Sequence, residues 1–116
     1  KPLNFYKNEF ENLRPKVLEI KEFKNGSQNV NPETKTITLT FSQPMNVKTR
    51  GFDYGPLGEN NVLKVQKVIG FSEDKKSFSF EVDLKENHHY QSTVMNFRDE
   101  NNFPVTPFLI DFKTAD

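Results

Sequence analysis

The stretch Thr36-Ile37-Thr38-Leu39-Thr40-Phe41 alternates strictly between polar and apolar residues. A period of two can be buried on one side only if the backbone is extended. Ile37, Leu39 and Phe41 then share one face and three threonines the other, and threonine, β-branched and polar, suits a solvated pleat. The same alternation recurs at residues 77–84, with Phe78, Phe80, Val82 and Leu84 inward. It recurs again at 108–113, with Phe108, Ile110 and Phe112 inward. One dry and one wet face per strand argues for antiparallel sheets, because the strands of a parallel sheet are covered on both sides.

Three less regular segments, 16–20, 62–68 and 90–97, complete the strands. Between them lie Asn25-Gly26-Ser27, Gly55-Pro56-Leu57-Gly58, Ser72-Glu73-Asp74-Lys75-Lys76 and Asp99-Glu100-Asn101-Asn102, which supply the Gly, Asn and Asp that turns require. Strands and turns at this spacing over about 100 residues predict an all-β antiparallel sandwich of two sheets and about seven strands. Residues 1–14 differ. Tyr6, Phe10 and Leu13 recur at i, i+4 and i+7 between Pro2 and Pro15. They give a short helix or a linker, read as the end of an upstream domain, before a sandwich domain over 15–116.

The chain has 116 residues and no cysteine, which removes thiol catalysis, disulfides and cysteine-based zinc sites. A single domain of this length can bury enough apolar surface without such staples, and twelve phenylalanines supply much of it. Basic and acidic residues balance at 16 each, so no global field draws the chain to nucleic acid or an anionic membrane surface. No apolar run reaches the ~18 residues of a membrane span. The first residue is Lys1 and no secretory core follows it, which fits a piece of a longer chain.

Several pieces, in order, carry a family pattern: Pro15-Lys16-Val17, then Asn29-Val30 and the run from Asn31 through Phe41-Ser42-Gln43-Pro44-Met45-Asn46, then Phe71-Ser72-Glu73-Asp74, Leu84 with Tyr90, and finally Asp99 to Asn102 with Phe112-Lys113-Thr114. Over residues 15–114 the chain resembles the bacterial surface-layer Ig-like domains of the SbsA type. It departs from them at Gln43 and Asn46, where the family has acids, and at Asn101 or Asn102, where it prefers Gly. The missing carboxylates remove a basis for a cation at that box, and Asn tolerates the positive φ that Gly would otherwise serve. The resemblance implies an accessory module of a secreted, periplasmic or surface-anchored bacterial protein, with an upstream domain of the same polypeptide as its first partner.

Physical reading of the same residues adds detail. Pro44 ends the strand before it, since proline cannot donate to a central ladder, and Met45 can fill irregular space beneath the bend. Tyr90 fits a tyrosine corner, its hydroxyl bonding back to upstream backbone.

Candidate chemistry is sparse. His88 and His89 are sequence neighbours on a strand, whose side chains diverge to opposite faces, so they do not chelate one ion together. Asp99-Glu100-Asn101-Asn102 gathers oxygens without the spacing of a calcium loop and reads as a turn. Glu73-Asp74 reads as a solvated hairpin tip. No Ser-His-Asp order, phosphate loop or dinucleotide fingerprint occurs, and the acids fall on wet faces or loop tips, so neither an enzyme, a cofactor nor a metal site is expected. The loop 50–61 is the best binding candidate. Phe52 and Tyr54 sit in a Gly- and Pro-rich stretch, where rings can lie exposed for sugar or protein recognition, or where Phe52 and Leu57 can fold back over an open core edge.

Overall fold

The computed structural model describes residues 10–116. Seven strands form: β1 Val17–Ile20, β2 Thr36–Phe41, β3 Phe52–Tyr54, β4 Val65–Phe71, β5 Ser77–Val82, β6 His89–Val94 and β7 Phe108–Lys113. One sheet has the order β1-β2-β5-β4 and the other β3-β6-β7, with every pairing between them antiparallel. Four strands facing three in this order is the arrangement of a constant-type immunoglobulin sandwich. No helix among the described residues is long and apolar enough to cross a membrane.

The alternating strands fold as their sequence predicts. Ile37, Leu39 and Phe41 of β2, Phe78, Phe80 and Val82 of β5, and Ile110 and Phe112 of β7 are buried, while the threonine face of β2 keeps partial contact with water except at Thr38. There the Thr38 and Ser79 hydroxyls pair across the strands at 3.0 Å. Phe97, fully buried, is the hub of the core: its ring lies 5.3 Å from Phe78, 5.4 Å from Phe41 and 5.6 Å from Phe52. Offset and edge-to-face pairs of this kind add about 0.5–1.5 kcal/mol each beyond area burial.

Two strands depart from the sequence reading. β4 begins at Val65 rather than at residue 62, because Leu63 turns into the core and donates its N–H to the Ser92 hydroxyl of the opposite sheet at 2.8 Å. Two register shifts then stretch β4 against β5, so Val65, Val68 and Phe71 face Val82, Phe80 and Phe78. The bulges break the period of two on a strand that is mostly exposed, which hides it from an alternation test. β3 was expected as loop. Its three residues pair with Val94, Thr93 and Ser92 of β6. Gly51 permits this close entry, since a Cβ there would stand 2.8 Å from the Asn96 Cβ.

The corner and turns follow their chemistry. The Tyr90 hydroxyl accepts the Lys85 backbone N–H at 2.8 Å, making the expected tyrosine corner, and its ring stacks on Phe112 at 5.4 Å. Asn102 holds a φ of 70°, a left-handed position that Asn tolerates better than other residues with a side chain. Along the outer edge of β7, residues 26–30 run beside the strand: Gly26 and Val30 donate to the Asp111 and Lys113 carbonyls, and Lys113 and Ala115 donate back to Ser27 and Val30. This segment covers an edge that would otherwise present unpaired backbone.

Candidate functional site

At β3 the structure separates the two aromatic candidates. Phe52 is half-buried, with ring centroids 5.0 Å from Phe80 and 5.6 Å from Phe97. Tyr54, at the far end of the strand, is 54% exposed, and Leu57 is 47% exposed beyond it. β3 and β4 are edge strands of their sheets, and between them Arg50, Phe52, Val65, Val68 and Phe78 line an apolar groove of about 250 Å³. Phe52 forms the groove's floor from the core side. Tyr54 lies outside it, so the two rings do not form one surface. Gln91 holds the following turn by accepting the Leu57 N–H at 2.9 Å.

A second constellation lies where residues 10–16 meet the sandwich. Residues 10–13 form a helical turn, and Phe10 meets Phe103 edge-on at 5.9 Å. Arg14 donates from Nε to the Pro104 carbonyl at 3.1 Å and from a terminal nitrogen to the Val105 carbonyl at 2.9 Å. Thr106 donates its N–H to the Pro15 carbonyl at 2.9 Å, and Gln43 Nε2 donates to the Leu13 carbonyl at 3.0 Å. Of the predicted helical face, Phe10 and Leu13 are placed here, whereas Tyr6 lies outside the described residues. Arg14 and Gln43 carried no functional reading in the sequence. Besides the local ion pair with Glu11 at 3.2 Å, the acceptors that tie Arg14 to the sandwich lie 90 and 91 residues away, and nothing beside it in the chain marks them.

Beneath this joint sits Asp99, 2% exposed. Its Oδ1 accepts the N–H groups of Asn101 and Phe103, each at 2.9 Å, and its Oδ2 accepts the Gln43 amide at 2.7 Å. Both oxygens are spent on protein donors, which makes the acidic turn a structural one. The box 41–46 completes the joint: the Ser42 hydroxyl accepts the Lys16 N–H at 2.9 Å, Met45 is fully buried, and Asn46 accepts the Lys48 N–H in an Asx turn. A glutamate at position 43 would set a carboxylate against Asp99. The amide of Gln43 supplies the donor that this turn needs.

The histidines part, His88 in the corner before β6 and His89 as its first residue. The His88 ring lies 4.4 Å from that of Tyr90, whereas His89 Nε2 meets Asp111 Oδ1 at 2.5 Å on the outer face of the β6–β7 pair. Among the described residues no three His, Asp or Glu side chains gather as a metal-binding group. At the β4–β5 turn Asp74 is held below its ordinary carboxylate value, first by the Ser72 hydroxyl and then by the Lys76 backbone N–H.

No family model matches the chain, and no curated protein sequence matches it. Among solved structures, domains 1–6 of the surface layer protein SbsC match 94% of the chain with a TM-score of 0.58 at 17% identity. The crystal structure of the S-layer protein rSbsC(31-844) matches the same share with a TM-score of 0.57 at 17% identity. The chain is therefore similar in fold to a surface-layer protein domain and spans 15% of the length of those chains.

Proposed function

We propose that this is a non-catalytic Ig-like accessory domain, of the SbsA surface-layer type, in a larger secreted or surface-associated bacterial protein, where it acts as a rigid spacer that fixes the direction of the preceding segment. The observation that carries this reading is the joint at residues 10–16. Arg14 ties the segment to two carbonyls of the loop 104–105, Gln43 ties Leu13 to the loop after β2, and Thr106 ties Pro15. A flexible linker would have its polar groups in water. Here they are bonded to two separate loops, so the entering chain cannot swivel without breaking several bonds at once. The fold shared with S-layer protein domains supports an extracytoplasmic, cell-surface setting.

Amide relaxation tests the spacer. Order parameters of residues 10–16 should match those of the strands, near ~0.85, and should fall below ~0.6 in Arg14→Ala with the sandwich intact. A wild-type segment already below ~0.6 would overturn the rigid joint.

A second reading, binding of a polysaccharide or protein through the loop 50–61, rests on the exposure of Tyr54 and Leu57. Retention of the chain on cell-wall material that is lost in Tyr54→Ala, with melting unchanged, would favour it.

A further inference from the structure

We infer that the concavity at the tyrosine corner, at the end of the sandwich away from the joint, is a binding site for a carboxylate-bearing sugar unit. Topology places two loops together there: the connection from β3 to β4 and the one from β5 to β6, joined where Asn61 Nδ2 donates to the His89 carbonyl at 2.9 Å. Between them opens a cavity of about 200 Å³. Drug-sized ligands occupy roughly 300–1,000 Å³, so this space suits one ring-sized unit.

Its floor is apolar and fixed. Val62, Leu84 and Tyr90 line it. The Tyr90 ring cannot turn away, because its hydroxyl holds the Lys85 N–H and its face rests on Phe112. His88 stands against the same ring at 4.4 Å. Tyr90, 6% exposed, backs the floor, and the surface open to the C–H face of a sugar is Val62 with the partly exposed imidazole of His88.

The rim supplies the polar half. Lys64 and Lys85 stand against a single carboxylate, Asp83, in a chain whose formal net charge is zero. Asn60 offers an amide that can both donate to and accept from hydroxyls. An ammonium pair at the edge of an apolar floor selects a ring that carries an anion, through charge-assisted hydrogen bonds.

The anion is a carboxylate rather than a phosphate because three backbone donors of the corner loop, of the kind that cradle a phosphate, are spent on the protein. Lys85 gives its N–H to Tyr90, Asn87 to the Ala115 carbonyl, and His88 to the Thr114 hydroxyl at 2.9 Å.

The test is an amide-shift titration of the whole chain with sodium glucuronate, with glucose and inorganic phosphate at equal concentration and matched ionic strength. Saturable shifts at residues 60–64 and 83–88 with glucuronate alone support the site. The double variant Lys64→Gln, Lys85→Gln should bind about tenfold more weakly with its melting temperature unchanged. Silence with glucuronate, equal shifts with glucose or with phosphate, or an unchanged affinity in the double variant would overturn it. The joint at residues 10–16 is not touched by these changes, so failure here leaves the spacer reading standing.

Discussion

Gln43 Nε2 lies 2.7 Å from Asp99 Oδ2, which joins the segment after β2 to the buried carboxylate that organises the turn at residues 99–102. Gln43→Glu replaces the donor with a second acid and should lower stability by about 1–3 kcal/mol at neutral pH, since a buried acceptor is left unpaired beside a like charge. Gln43→Ala should cost about 1 kcal/mol. Urea unfolding at pH 7 measures both, and a fully stable Gln43→Glu would show that the Asp99 turn does not depend on this amide.

Phe97 and the two aromatics of β3 should separate cleanly. Phe97→Ala removes the ring shared by both sheets and should cost about 3–5 kcal/mol. Phe52→Ala, half-buried, should cost about 2–3 kcal/mol. Tyr54→Ala should stay within about 0.5 kcal/mol. Thermal melts of the three variants check the order, and equal losses at Phe52 and Tyr54 would contradict their different burial.

Tyr90→Phe keeps the ring on Phe112 but leaves the Lys85 N–H without its acceptor, and should cost about 1–2 kcal/mol. Hydrogen exchange at Lys85 reads the bond directly. Protection there should drop in Tyr90→Phe while Ile37 and Phe80 in the core strands stay protected.

Asp74 gives a pH signature. Its native value is depressed by the Ser72 hydroxyl first and the Lys76 N–H second. A depressed carboxylate contributes stability that is present above its unfolded value of about 3.9 and is lost as pH falls through the lower native one. Ser72→Ala should move Asp74 back toward the ordinary range, which a carboxyl-carbon NMR titration follows. An unchanged midpoint would mean that the hydroxyl is not the main cause.

Residues in strict alternation were legible from the chain alone. β2 and β7 fall at the predicted limits, because each buries one face and nothing within the strand interrupts the period. Tyr90 was legible because a tyrosine corner is a local device, its partner only five residues away. β4 was displaced because its two bulges break the period of two, and β3 was missed because three residues between Gly51 and Gly55 are too short to show any period. The joint was invisible for a different reason: apart from the local Arg14–Glu11 pair, the bonds by which Arg14 and Gln43 tie the segment down go to acceptors distant in sequence. The corner concavity shares that difficulty, since Lys64 and Lys85 come from separate loops.

The strip of residues 26–30 along β7 has a mechanical meaning. Chain enters the sandwich at Arg14, beside the loop 99–106, and reaches Thr114 at the opposite end, where Thr114 Oγ1 donates to the Lys85 carbonyl at 2.6 Å. Val30 and Thr114 are bridged in parallel. Tension between the two ends therefore runs along the strands, and four backbone bonds between β7 and this strip bear it together in shear. A domain loaded in this way resists extension with its bonds in concert, whereas a hairpin pulled from its open end gives them up one at a time.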